Sequence, residues 1–171
     1  MFDFICGDNV VGWSHYNQEI ICDRFSFEEW HKIVDDIDTD DKWRHFLSEF
    51  DDFVKCYILK EIDCNNSIGF VYLYKESISN KIVSIHGGGW GKSMRLSLLY
   101  YRGMILMIKY LLKQSYKVRS SCLITNTRAF RFLHSLGFVK YCTTETHHYM
   151  WINEKRLRAS KIYEYLYPPI L

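Results

Sequence analysis

The sequence predicts an α/β (α+β) chain with a mixed, mostly antiparallel central sheet and helices on both faces. Two observations carry this expectation. Three strand-like runs, 54–59, 68–74 and 82–86, follow one another across turn-forming clusters, as in a meander. Helical and extended patterns then alternate: a helix at 97–113, a strand at 117–124, a helix at 126–136 and a closing hairpin of 138–142 with 147–152. Meander strands followed by β–α units fit a mixed sheet with helices packed upon it. The 171 residues are expected to form one domain, with a core at 54–142, N-terminal helices at 26–52 and a C-terminal tail at 154–171.

Each element has a local reason. The first 25 residues are aromatic and irregular and predict no more than a short strand. Ser26-Phe27-Glu28-Glu29 reads as a capping box, in which hydroxyl and carboxylate satisfy each other's backbone amides. Trp30, Ile33, Val34 and Ile37 behind it follow the spacing of an amphipathic helix. Asp40 caps a second helix carrying Trp43, Phe46, Leu47 and Phe50. The cluster from Asp63 to Ser67 joins the first two strands, and a turn near Ser79-Asn80 leads to the third. Gly87-Gly88-Gly89-Trp90-Gly91 is expected to end that strand as a loop. The helix at 97–113 is apolar around most of its circumference, with Arg95, Arg102 and Lys109 as one polar stripe, so burial against a sheet is expected. Gly103 inside it costs ~1 kcal/mol relative to alanine. Ala129, Phe132, Leu133 and Leu136 give the shorter helix its buried side. The tail is basic, then tyrosine-rich, and predicts one last helix before Pro168.

The net charge of +2 conceals an asymmetry. Residues 1–63 hold 16 acidic against 6 basic side chains, whereas residues 64–171 hold 4 against 16. A basic half suits a polyanionic partner, and an acidic half suits a cationic substrate. No signal peptide is visible, and the run 104–112, broken by Lys109, is far below the ~20 residues of a membrane span, so a cytoplasmic protein without a membrane partner is expected. The six cysteines form no CxxC pair and read as small residues in a reducing compartment. No metal site is expected.

The segment His86 to Ser93 admits three readings. It fits the phosphate-cradling pattern GxxxxGK[ST] everywhere except its first glycine, which is His86. Against a nucleotide-binding P-loop, no later strand ends in an aspartate for magnesium. An HGGG oxyanion loop needs a GxSxG nucleophile elbow, and the chain has none. The third reading is a cofactor loop, and it rests on more than this segment.

The run from Asn126 to Phe138 places Asn after a strand, Ala129 three residues on, and Leu136-Gly137-Phe138 ten to twelve residues on. Ile68-Gly69-Phe70 precedes the third strand, and Trp90-Gly91-Lys92-Ser93-Met94 follows it. Together these resemble the GNAT (N-acetyltransferase-like) superfamily, in particular its ribosomal-protein-acetylating branch and divergent phage-encoded members. The resemblance implies a GNAT-like fold with acetyl-CoA as co-substrate and a primary amine, on a protein or a small molecule, as acceptor. It implies cofactor contacts from Gly87, Gly88, Gly89, Trp90, Gly91, Lys92, Ser93, Arg95 and Asn126. A helix N-terminus with free amides binds a pyrophosphate without side-chain help, and Lys92 and Arg95 add charge. The family's Q/R-x-x-G-x-G/A is degenerate here, and a second register through Tyr101-Arg102-Gly103 stays open.

Amine acetylation needs a base for the ammonium and an acid for the leaving thiolate. The family's frequent tyrosine acid falls at Leu133, and no carboxylate occurs from Ser77 to Thr144. His86 is the titratable group at the end of the third strand and the candidate catalytic base. Glu61 or Asp63 could instead act through water, and His147-His148, on alternate faces of a strand, read as structural. The expected function is acetyl-CoA-dependent N-acetyl transfer. The alternatives are a non-catalytic binding protein of this fold, using its N-terminal region or basic tail on a protein partner, and a P-loop nucleotide binder; nucleic acid is not favoured as a partner.

Overall fold

The structure, a computed structural model, describes residues 20–24, 54–61, 67–89 and 93–168. The expected helices at 26–52 lie outside these residues. Seven strands form one sheet: β1 (Ile20–Arg24), β2 (Val54–Glu61), β3 (Ser67–Ser77), β4 (Ile82–Gly89), β5 (Lys117–Leu123), β6 (Val139–Thr143) and β7 (His147–Ile152), in the order β1-β2-β3-β4-β5-β7-β6. Pairings β1–β2, β2–β3, β5–β7 and β6–β7 are antiparallel, and β4–β5 is parallel. The described helices are α1 (Met94–Lys113), α2 (Thr127–Ser135), α3 (Glu154–Arg158) and α4 (Lys161–Leu166). The mixed, mostly antiparallel sheet is therefore present as the sequence predicts.

Three expectations are corrected. Gly87–Gly89 belong to β4 rather than to a loop. Helix α1 starts at Met94, and Gly103 lies inside it without breaking it. The tail forms two short helices, because Ser160 starts a new one: its hydroxyl accepts from Tyr163 N at 3.3 Å.

By contact the chain divides into two compact units: Met1–Tyr74 with Gly87–Tyr100, and Lys75–His86 with Tyr101–Leu171. In the first, Leu59, Ile68, Val71 and Leu73 are fully buried and Leu99 nearly so. In the second, α1 buries Met104, Ile105, Met107, Ile108 and Leu111. Each such side chain contributes about 1.5–3 kcal/mol relative to exposure. The opposite, polar stripe of α1 is not left to water alone. The Lys109 ammonium lies 5.7 Å from the Tyr163 ring centre and 5.6 Å from that of Tyr167, which explains the tyrosines of the tail.

Both ends of the Asn126–Phe138 run are helix caps. The Asn126 side chain accepts from Ala129 N at 2.9 Å. At the other end, Gly137 N donates to His134 O and Phe138 N to Leu133 O, the paired bonds of a Schellman cap. Gly137 takes φ +97°, and Leu133 and Phe138 are both buried. Helix α1 ends in the same way, with Ser115 at φ 63° in the glycine's place.

Candidate active site

In the first unit, glycines and one tyrosine fit together. A Cβ on Gly69 would stand 2.5 Å from Gly88 O and 2.7 Å from the Tyr100 ring, and one on Gly89 would stand 3.0 Å from that ring. On Gly87 it would strike the Phe70 carbonyl oxygen and come 2.6 Å from the Tyr100 hydroxyl. That hydroxyl donates to Phe70 O at 3.2 Å, and burial pushes its pKa far up, so it stays a donor. The glycines thus let α1 lie close on β3 and β4 through the Tyr100 ring. Gly87→Ala is expected to cost about 1–3 kcal/mol, because the main obstacle is backbone. Gly88→Ala meets only the edge of the Phe70 ring at 3.0 Å and should cost less. Thermal melts in which the two variants fall equally would refute this account.

Of the residues expected to hold a cofactor, Gly87–Gly89 line the end of β4, and Ser93 and Arg95 open α1. Trp90, Gly91 and Lys92 lie outside the described residues. Ser93 caps the helix: its hydroxyl accepts from Leu96 N at 3.2 Å and its carbonyl from Ser97 N at 3.1 Å. The first turn carries Arg95 and no acidic side chain, so the positive end of the helix dipole is left without a carboxylate of its own. That is the electrostatics an anionic ligand requires.

In the second unit, β4 and β5 pair only as Ile82↔Lys117, Val83↔Val118 and Ser84↔Arg119, although both strands run on. Just past the last pair, the buried Ser120 hydroxyl donates to Ile85 O at 2.8 Å. His86 comes next on β4 and is half-buried. Desolvation, with a smaller contribution from His147, lowers its pKa to about 4, so the ring is neutral at physiological pH.

Strand alternation groups further side chains. Opposite residues of an antiparallel pair share a face. Arg119, Ser121 and Leu123 of β5 therefore share one with Trp151, Tyr149 and His147 of β7. The parallel register of β4 with β5 puts His86 on that same face. There Arg119 binds Glu76 at 3.0 Å and lies 5.4 Å from the Tyr141 ring centre. His148 turns to the other face, against Phe130 of α2 at 5.1 Å. His148 thus packs on a helix, while His147 acts electrostatically on His86. Asn126, expected at the cofactor, has its side-chain oxygen committed to capping α2 and keeps its amide nitrogen. Leu133, in the position of the family's acid, is buried. Neither the approach of His147 to His86 nor the bond of Ser120 is legible in the sequence, because strand register and the end of a ladder have no local signal.

Among the described residues no group of three or more His, Cys, Asp or Glu could hold a metal ion, and no helix is long and apolar enough to cross a membrane. Cys122 and Cys142 are free thiols.

No family model matches the sequence, and no curated protein matches it. Solved structures do. A point mutant of the spermidine N-acetyltransferase SpeG from Vibrio cholerae matches with a TM-score of 0.63 at 10% identity, over 84% of this chain and 98% of that one. The same enzyme in complex with CoA and spermine matches with a TM-score of 0.61 at 12% identity, over 82% and 99%. Its dodecameric structure in an intermediate state gives 0.60 at 12%, over 90% and 100%. The chain has the N-acetyltransferase-like fold.

Proposed function

We propose that the protein is an acyl-CoA-dependent N-acetyltransferase that transfers an acetyl group to a primary amine. The observation that carries this reading is the early end of the β4–β5 ladder within this fold. Beyond Ser84↔Arg119 no further pair of this ladder forms, which leaves backbone groups of β5 with which an extended amide-bearing chain such as the pantetheine arm can pair. The N-terminus of α1, with Ser93 and Arg95, suits the pyrophosphate, and Trp90, Gly91 and Lys92 precede it in the chain. Gly87, Gly88 and Gly89 belong to the end of β4, and Asn126 caps α2. Bound acetyl-CoA supplies a thioester carbonyl open to attack.

His86 is the base candidate. A neutral imidazole accepts the proton of an acceptor ammonium, but with its pKa held down to about 4 it is a weak base. It therefore takes the proton as the amine nitrogen attacks the thioester carbon and its N–H grows acidic, and releases it to water as the thiolate leaves. A cationic acceptor of the polyamine class is favoured by the 16 acidic side chains of residues 1–63 and by the spermine named with the structural neighbour. A P-loop reading is disfavoured, because Gly87, Gly88 and Gly89 are strand residues packed against Tyr100 and Phe70.

Thermal denaturation with CoA, acetyl-CoA and ATP–magnesium tests this reading, followed by acetyl transfer to a panel of amines. Ligand at about 100 times its Kd should stabilise the fold by about 2.7 kcal/mol. CoA is expected to raise the melting temperature and ATP–magnesium to leave it unchanged. A response to ATP–magnesium alone, or to neither, overturns the proposal. The second outcome would favour a non-catalytic binding protein, a reading to which the buried Leu133 also points.

A further inference from the structure

We infer that the sheet face bearing Arg119, Tyr141 and Trp151 binds single-stranded nucleic acid, with bases stacked on its rings and phosphates held by its guanidinium groups. The inference does not depend on the acyl-transfer reading. The face lies wholly within the second unit, on the side of β5, β7 and β6 opposite the one on which His148 meets α2. Strand register builds it. Arg119 of β5 is paired with Trp151 of β7, so the two share a face. The irregularity between Lys140 and Cys142 leaves Tyr141 outside the β6–β7 ladder. Its ring stands 6.5 Å from that of Tyr149 and 5.4 Å from the Arg119 guanidinium. From α3, the Arg156 guanidinium reaches to 5.4 Å from the Trp151 ring centre. Tyr141 is 48% exposed, Arg156 is exposed, and Arg119, Tyr149 and Trp151 are partly so.

Cations and rings therefore alternate along one accessible surface. A ring stacks on any base through its π-face, and a guanidinium pairs with phosphate through its fork of donors. Glu76 takes one N–H of Arg119 at 3.0 Å, and the group has five. The surrounding charge favours a polyanion: the second unit carries 14 basic side chains against 4 acidic. Two of those four, Glu76 and Glu154, are already paired with Arg119 and Arg158. An acidic peptide would answer the charge but leave the rings without planar partners. The groups come from positions 119, 141, 149, 151 and 156, so the sequence alone does not bring them together and does not favour this ligand.

Labelled oligouridylate and oligodeoxythymidylate of about 12 nucleotides, titrated with the full chain at several salt concentrations and followed by fluorescence anisotropy, test the inference. Binding is expected, weakening as salt rises. Uridylate bound more tightly assigns the face to RNA, thymidylate to DNA, and either result supports it. Tyr141→Leu should weaken binding about tenfold at an unchanged salt slope, and Tyr141→Phe should restore it. Arg156→Gln should weaken binding and flatten the slope of log K against log salt by about 0.7, the share of one phosphate on a single strand. Glu76→Gln, which relieves Arg119 of its carboxylate, should tighten binding about threefold. Tyr141 and Arg156 are exposed, so folding is not at stake in their variants. No binding of either oligonucleotide, or binding that Tyr141→Leu leaves intact, overturns the inference. So does displacement by polyglutamate as readily as by unlabelled oligonucleotide, which would give the face to an acidic protein segment instead.

Discussion

Gly137→Ala is expected to lower the melting temperature by about 4–20 °C. Two independent costs add. The residue sits at φ +97°, where an L side chain costs about 1–2 kcal/mol. An added Cβ would also strike the Arg156 carbonyl oxygen and stand 2.9 Å from its carbon. Obstruction by backbone is not relieved by a rotamer change, and overpacking of this kind costs about 1–3 kcal/mol. At about 2–4 °C per kcal/mol for a chain of this size, the sum gives the stated range. Arg156→Ala should not rescue the variant, since the obstacle is main chain and not the guanidinium. A fall of less than about 2 °C, or rescue by Arg156→Ala, would show that the Schellman cap is not what holds this corner.

The largest effect on activity is expected at His86. His86→Ala should reduce kcat for acetyl transfer about a hundredfold with KM for acetyl-CoA nearly unchanged. General bases contribute about 10²–10⁴, and a base with its pKa lowered to about 4 belongs at the low end. His86→Gln, which keeps volume and polarity, should lose as much, so a folding defect in the alanine variant would not hide the result. The same shift predicts how stability depends on pH. The unfolded imidazole titrates near 6.5 and the folded one near 4, so between these values the unfolded state binds more protons. Stability from this group is complete above pH 6.5 and is lost as pH falls towards 4, by at most about 3 kcal/mol. Urea denaturation of the unchanged protein and of His86→Gln at pH 7 and pH 4.5 measures it. Equal losses in both, or an unchanged kcat, would remove His86 from the site.

What the sequence reveals and what it hides divide along a physical line. The Asn126–Phe138 run is legible because both its ends are local: a side-chain cap at Asn126 and a left-handed glycine at Gly137, each decided within a few residues. The strands and α1 are legible from periodicity alone. By contrast, the Arg119–Glu76 pair joins residues 43 apart, and the face shared by His86 and His147 depends on the register of three strands. No window of sequence contains that information. Glycines 87 to 89 mislead for a different reason. A flexible loop and a close-packed strand ask for the same residue, and the deciding partners, Phe70 and Tyr100, lie more than ten residues away in the chain.

That pairing of small and large residues has a consequence for comparing sequences. The constraint on position 89 is set by the ring at position 100 alone, whereas a Cβ at 69 or 87 meets main-chain oxygen first. In a chain of this fold with a small side chain at that place on the helix, alanine or serine would fit at position 89, and that glycine would vanish with no change in what the protein binds. A search keyed to it would then track the tyrosine, and relatives with the same chemistry would go unrecognised.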